Sequence, residues 1–97
     1  MMLKVRIVKL ELEKLLNILE IKLKETNDID LKELNLRLST VISILDCMLI
    51  TGPNAIIDKD SFVNILQENE VYNLYDIVSE LDNKSEFNSI LKLCENY

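Results

Sequence analysis

The sequence predicts a small all-α domain, a helical bundle of two long helices forming an antiparallel hairpin plus three short helices. Two observations carry this. Apolar residues make up 48% of the 97 positions but aromatics only 5%, so the core is aliphatic, dominated by Leu and Ile. Gly, Pro and Ala occur once each, as Gly52, Pro53 and Ala55 in one short stretch, which leaves few of the breakers that tight hairpins and multi-strand sheets need. A chain of this length has room for one core, so residues 1–97 are expected to form a single helical domain.

The first helix is predicted from about Leu3 to Lys24. Val5, Val8, Leu12, Leu15, Leu16, Leu19 and Leu23 recur mostly at steps of three and four, placing them on one face. A second apolar stripe, Leu3, Ile7, Leu10, Ile18 and Ile21, lies on another side with Lys14 intruding. Polar residues separate the stripes, Arg6, Glu13, Glu20 and Lys24 on one flank and Lys4, Glu11 and Lys22 on the other. A helix apolar on two sides is either sandwiched or covered by another molecule, so the second stripe is the candidate for self-association or partner binding, as the seam of a symmetric dimer. Leu3, Val5 and Ile7 also alternate as a strand would, but no second strand is evident and an isolated strand is unstable.

Glu25 to Asp30 is a polar break. Asp30 with Glu33 three residues on predicts a capping box, with Asp28 the alternative cap. The second helix runs to about Ile50. Its broad face of Leu31, Leu34, Leu38, Val41, Ile42, Ile44, Leu45, Met48 and Leu49 marks it as the most buried helix, and Gly52 and Pro53 end it. Asp58 or Asp60 caps a short third helix carrying Phe62, Val63, Ile65 and Leu66, and the apolar phase slips near Glu68 to Glu70. A fourth helix carries Val71, Leu74, Tyr75, Ile77, Val78 and Leu81. Asn83 with Glu86 suggests a further capping box for a fifth, with Phe87, Ile90, Leu91 and Cys94, that reaches the C-terminus.

Formal charge is −6 and unevenly placed. Residues 1–24 carry +3 and the remainder −9, with no Lys or Arg between Lys59 and Lys84. Such a surface repels nucleic-acid backbones and anionic membranes and suits a basic protein partner. Glu68, Glu70, Asp76, Glu80, Asp82 and Glu86 form the candidate acidic partner face, set against the plainer reading of a solvated surface. Tyr72 falls outside the apolar stripe of helix four and is the candidate aromatic anchor.

Chemistry is poorly supplied. His is absent, which removes the commonest general base, and one glycine cannot build a phosphate-binding loop. Cys47 and Cys94 lie far apart with no second ligand nearby, so no zinc site is expected, and both read as reduced thiols on or beside apolar helix faces. The segment before Phe62 loosely resembles the end of a calcium loop, but its early ligand positions fall on Ile50, Gly52 and Asn54. A helix-turn-helix pairing of helices three and four fails because its reader would carry Glu70, Asp76, Glu80 and Asp82 and no basic residue. Lys4, Arg6 and Lys9 interrupt the N-terminus where a signal peptide's apolar run belongs, and the most apolar stretch, Val41 to Ile50, is about half a membrane span. The expected location is cytoplasmic, in the protein's own cell or a host's. No membrane contact and no cofactor are expected.

The wealth of Ile, Asn, Lys and Leu beside scarce Gly, Ala, Arg and Pro is the coding bias of AT-rich genomes, such as those of low-GC bacteria and their phages. Together these features predict a non-enzymatic protein-binding module, a regulator or inhibitor acting by docking. Immunity proteins, antitoxins and phage inhibitors of host defence share this size and composition. The alternative is a DNA-associated regulator, or a small structural subunit of a homo-oligomer, that uses helix one.

Overall fold

A computed structural model describes residues 1–97. The helical class and the hairpin are as predicted: α1 (Val5–Glu25) and α2 (Ile29–Thr51) are the two long helices and pack against each other. Three short helices follow, α3 (Lys59–Glu68), α4 (Leu74–Ser79) and α5 (Asn88–Leu93), the last entered through a 3-10 turn at Lys84–Phe87.

The N-terminus departs from expectation. Residues Met2–Lys4 are a strand, β1, and the first helix begins only at Val5, so Leu3 does not belong to it. β1 pairs antiparallel with β2 (Ile56–Asp58), Leu3 opposite Ile57. Ile57 is buried and its neighbour Ile56 exposed, the two-residue alternation of a strand with one face on the core. The ribbon also starts α1. Lys4 offers no side-chain cap, and the otherwise orphan Val5 amide donates instead to the Ala55 carbonyl at 3.0 Å. Sequence patterning finds no partner strand because each strand spans three residues, too few for an alternation to register.

α1, not α2, is the most buried helix. Val5, Val8, Leu12, Leu15 and Leu19 line the core, whereas only Leu38, Val41 and Leu45 of α2 are fully buried. α1 packs against α2 and also against α5, and α5 in turn meets α3, α4 and the 3-10 turn. The short helices thus reach α1 through α5, and much of the broad apolar face of α2 is left half-exposed. Lys9 stitches the hairpin by reaching Asp46 at 3.1 Å, a bond that raises the Lys9 ammonium above its usual range. Lys9 lies near the start of α1 and Asp46 near the end of α2, as antiparallel helices require.

The helix ends follow ordinary capping chemistry with some reassignment. Asp28, not Asp30, caps α2, its carboxylate accepting the amides of Asp30 and Leu31. Asp58 caps α3 through the Ser61 amide at 2.8 Å, which holds its carboxyl below the usual range. α3 ends in a Schellman turn: the Glu70 amide bonds the Gln67 carbonyl, the Val71 amide bonds the Leu66 carbonyl, and Glu70 takes the left-handed conformation at φ 59°. That turn delays α4, so Val71 is buried outside the helix predicted to hold it. Asn83 and Glu86 do bond, side chain to side chain at 2.7 Å, but cap no backbone amide.

The cap of α5 comes from elsewhere. Glu11, expected on a polar flank of α1, is 8% exposed and accepts the Ile90 amide at 3.0 Å and the Ser89 amide at 3.4 Å. α5 stops at Leu93, short of the C-terminus. Beyond it, the Tyr97 hydroxyl donates to the Val71 carbonyl at 2.6 Å and Lys59 donates to the Glu95 carbonyl. Cys94 is buried, but Cys47 is exposed on α2 rather than placed against the core.

Candidate docking face

The second stripe of α1 divides in the structure. Ile7, Leu10 and Ile21 are 41%, 53% and 60% exposed, while Ile18 is half-buried against the core and Leu3 sits in the ribbon. At about 100° per residue, the three exposed side chains are centred roughly 150° around the axis from the buried stripe. They are exposed on the side of α1 opposite its core-facing stripe. Lys14 lies among them and reaches Glu86 at 3.9 Å.

α2 presents its own uncovered side, which sequence reasoning assigned to no partner. Leu36 and Ile50 are 67% and 76% exposed, with Thr40, Ser43 and Cys47 exposed between them. This strip lies opposite Leu38, Val41 and Leu45 on the helix, so it too faces outward. Between Leu38 and Thr51 the only charged residue is Asp46, already bonded to Lys9. Overpopulation of α2 with apolar residues was the available signal; it reads equally as deep burial, the interpretation the structure overturns. By length and composition α2 is also apolar enough to cross a bilayer, which the Val41 to Ile50 stretch alone is not. Core helices of soluble proteins share that composition but are mostly buried, whereas 17% of the most apolar window of α2 is buried.

The predicted acidic face is less uniform than its sequence. Glu70 pairs with Arg37 at 3.5 Å, Glu86 with Lys14 and Asn83, and Glu68 accepts from Asn64 at 3.4 Å. Asp76, Glu80 and Asp82 are exposed and make no ion pair. Only Asp76 lies within α4; Glu80 caps its end and Asp82 sits in the following turn. Tyr72 is exposed, as expected of an anchor, on the connection before α4.

One cleft of 340 Å³ opens where the start of α2 meets α4. Asp28, Asp30 and Glu33 line it beside Arg37, Glu70 and Asn73. Arg37 bridges Glu33 at 3.3 Å and Glu70, so the single cation is already matched to carboxylates. No three Cys, Asp or Glu side chains converge in a way that suits a metal. Burial pushes the Cys94 thiol up to about 12, which makes it inert as a nucleophile at neutral pH. The surface carries exposed apolar side chains on α1 and on α2, and unpaired carboxylates at Asp76, Glu80 and Asp82. No family model, curated protein or solved structure matches this chain.

Proposed function

We propose that this chain is a non-enzymatic protein-binding module, a regulator or inhibitor that works by laying the open side of its helical hairpin against another polypeptide. The observation that carries the proposal is the outward exposure of Ile7, Leu10 and Ile21 on a helix whose opposite face fills the core. Apolar side chains grouped on one helix face, rather than scattered singly, are what contact surfaces present. The chain's chemistry supports the same reading, since it has no His and its buried thiol is protonated at neutral pH. Asp76, Glu80 and Asp82 would favour a partner with a basic surface and speed encounter with it.

Two variants separate the surfaces. In the double variant Leu10→Glu/Ile21→Glu the helical circular dichroism and melting are expected to persist, because both side chains are exposed. Co-purification with a cellular partner is expected to be lost. The variant Glu80→Lys/Asp82→Lys is expected to retain the partner with slower, salt-insensitive association. Retention by the first variant and loss by the second would move the docking surface to the acidic side.

A further inference from the structure

We propose that the exposed stripe of α1 receives a short acidic segment of a partner protein, one that carries apolar side chains beside carboxylates. The inference rests on the docking function proposed above. It names the chemistry of what touches Ile7, Leu10 and Ile21, whatever charge the rest of the partner turns toward Asp76, Glu80 and Asp82.

The sign of this face is opposite to that of the molecule. At about 100° per residue, Arg6, Lys14 and Lys24 fall within about 70° of the centre of the stripe. Glu25, at the end of the helix, is the one exposed carboxylate that does. Three cations against one anion leave the face positive in a chain of net charge −6. The other acidic residues of α1 are directed elsewhere. Glu11 is turned into the cap of α5, Glu13 lies 3.8 Å from Lys9, and Glu20 is about 105° from the centre. Arg6 and Lys24 make no ion pair, and Lys14 reaches only Glu86, at 3.9 Å with both side chains half-exposed. Unmatched positive charge therefore stands beside three exposed aliphatic side chains.

A second copy does not supply the complement. In the antiparallel pairing that sets Ile7 against Ile21, Lys14 meets Lys14 and Arg6 meets Lys22. In a parallel pairing every cation meets its own kind. Like charges set against each other oppose a contact, so the symmetric seam suggested by the sequence is disfavoured at its centre. A head-to-tail copy, with α1 on Asp76, Glu80 and Asp82, has the right sign but leaves a face free at each end and grows without closing. A nucleic acid or an anionic bilayer also has the right sign, but either one extends past the face and meets the −9 carried by residues 25–97. Ile7, Leu10 and Ile21 find no apolar cover on a phosphate backbone. Lys14 and Asn17 interrupt the stripe where a helix lying in a bilayer needs a broad apolar face. A short segment stays within the face and, since exposed charges act over roughly 8 Å at physiological salt, answers to the cations beside it.

Titration of the isotope-labelled full chain with two short synthetic peptides of one pattern, one built of Leu and Glu and the other of Leu and Lys, tests this by nuclear magnetic resonance. The Leu/Glu peptide is expected to shift the amide signals of Ile7, Leu10, Lys14 and Ile21 and to bind more weakly as salt rises. Arg6→Glu/Lys14→Glu is expected to weaken that binding about tenfold with unchanged circular dichroism, the effect of reversing two exposed charges. The Leu/Lys peptide is expected to leave the α1 signals unmoved. Absence of α1 shifts with the Leu/Glu peptide, equal shifts with the Leu/Lys peptide, or binding indifferent to salt overturns the proposal, and these readouts decide it even if the double variant unfolds. Flotation with phosphatidylcholine/phosphatidylglycerol vesicles overturns it in favour of lipid, and α1 shifts that grow with protein concentration alone overturn it in favour of a second copy. Retention of the cellular partner by Arg6→Glu/Lys14→Glu, with its loss by Leu10→Glu/Ile21→Glu, sinks the acidic segment and leaves the docking function standing.

Discussion

Glu11 on the first helix closes the last one: its carboxylate receives the amide hydrogen of Ile90 at 3.0 Å across 79 residues of chain. Short α5 has no local cap, because Phe87 precedes it, and the carboxylate of α1 satisfies the buried Ile90 amide and the half-buried Ser89 amide. The contact fixes where α5 sits, and α5 is the element on which α3 and α4 rest. Replacing Glu11 by Ala is expected to cost about 1–3 kcal/mol in urea unfolding. Gln, which keeps the size and one acceptor oxygen, should fall between Ala and the wild type. Unchanged stability in the Ala variant would mean that solvent replaces the carboxylate at no cost.

The β-ribbon makes a neighbour contrast. Ile57 faces the core and Ile56 faces solvent, so Ile57→Ala is expected to lose about 2–5 kcal/mol. Ile56→Ala should change stability by no more than about 0.5 kcal/mol. Equal losses at the two positions, measured by denaturant titration, would reject the register that sets Leu3 opposite Ile57.

The two thiols should differ sharply in reactivity. Cys47 is exposed, whereas Cys94 is buried with its thiol pushed up to about 12. A colorimetric thiol reagent at pH 8 is expected to modify one cysteine in the folded chain and two in denaturant, with the first signal abolished by Cys47→Ser. Rapid modification of both in the native protein would contradict the burial of Cys94.

Asp58 supplies a pH dependence with a defined sign. Its folded carboxyl titrates below 3.8 because the Ser61 amide and hydroxyl hydrogen-bond the charged form. A lowered folded value means that the contribution is complete above the unfolded value and is lost as pH falls through the folded one. Asp58→Ala should therefore melt below the wild type at pH 7, with the gap narrowing toward pH 2. A gap independent of pH would show that charge at this cap is immaterial.

The hairpin was legible because Leu and Val recur on one side of α1 at helical spacing and because a polar break and a Gly-Pro pair bound α2. Other features left no local trace. A glutamate at position 11 reads as surface until its amide partners, folded back from the far end of the chain, are known. Three-residue strands show no periodicity. Asp28 and Asp30 are both plausible caps at the same helix end, and only the backbone decides between them. The burial of α2 was misread for a different reason. Apolar content reports what a helix would like to cover, not whether the chain has material left to cover it. Here α5 goes to α1, and α3 and α4 go to α5. In the candidate site the stripe of Ile7, Leu10 and Ile21 was visible, but Leu3 was taken by the ribbon and Ile18 by the core. The strip from Leu36 to Ile50 appears only once the packing is known.

Site-specific photo-cross-linking in cells that make the protein tests the docking function most directly. A photoreactive side chain placed at Leu10 or Ile21, on the exposed stripe of α1, is expected to yield covalent protein adducts. The same group at Tyr72 or Glu80 should yield few. Adducts confined to Tyr72 and Glu80, or none at any of the four positions, would contradict a contact function for that side.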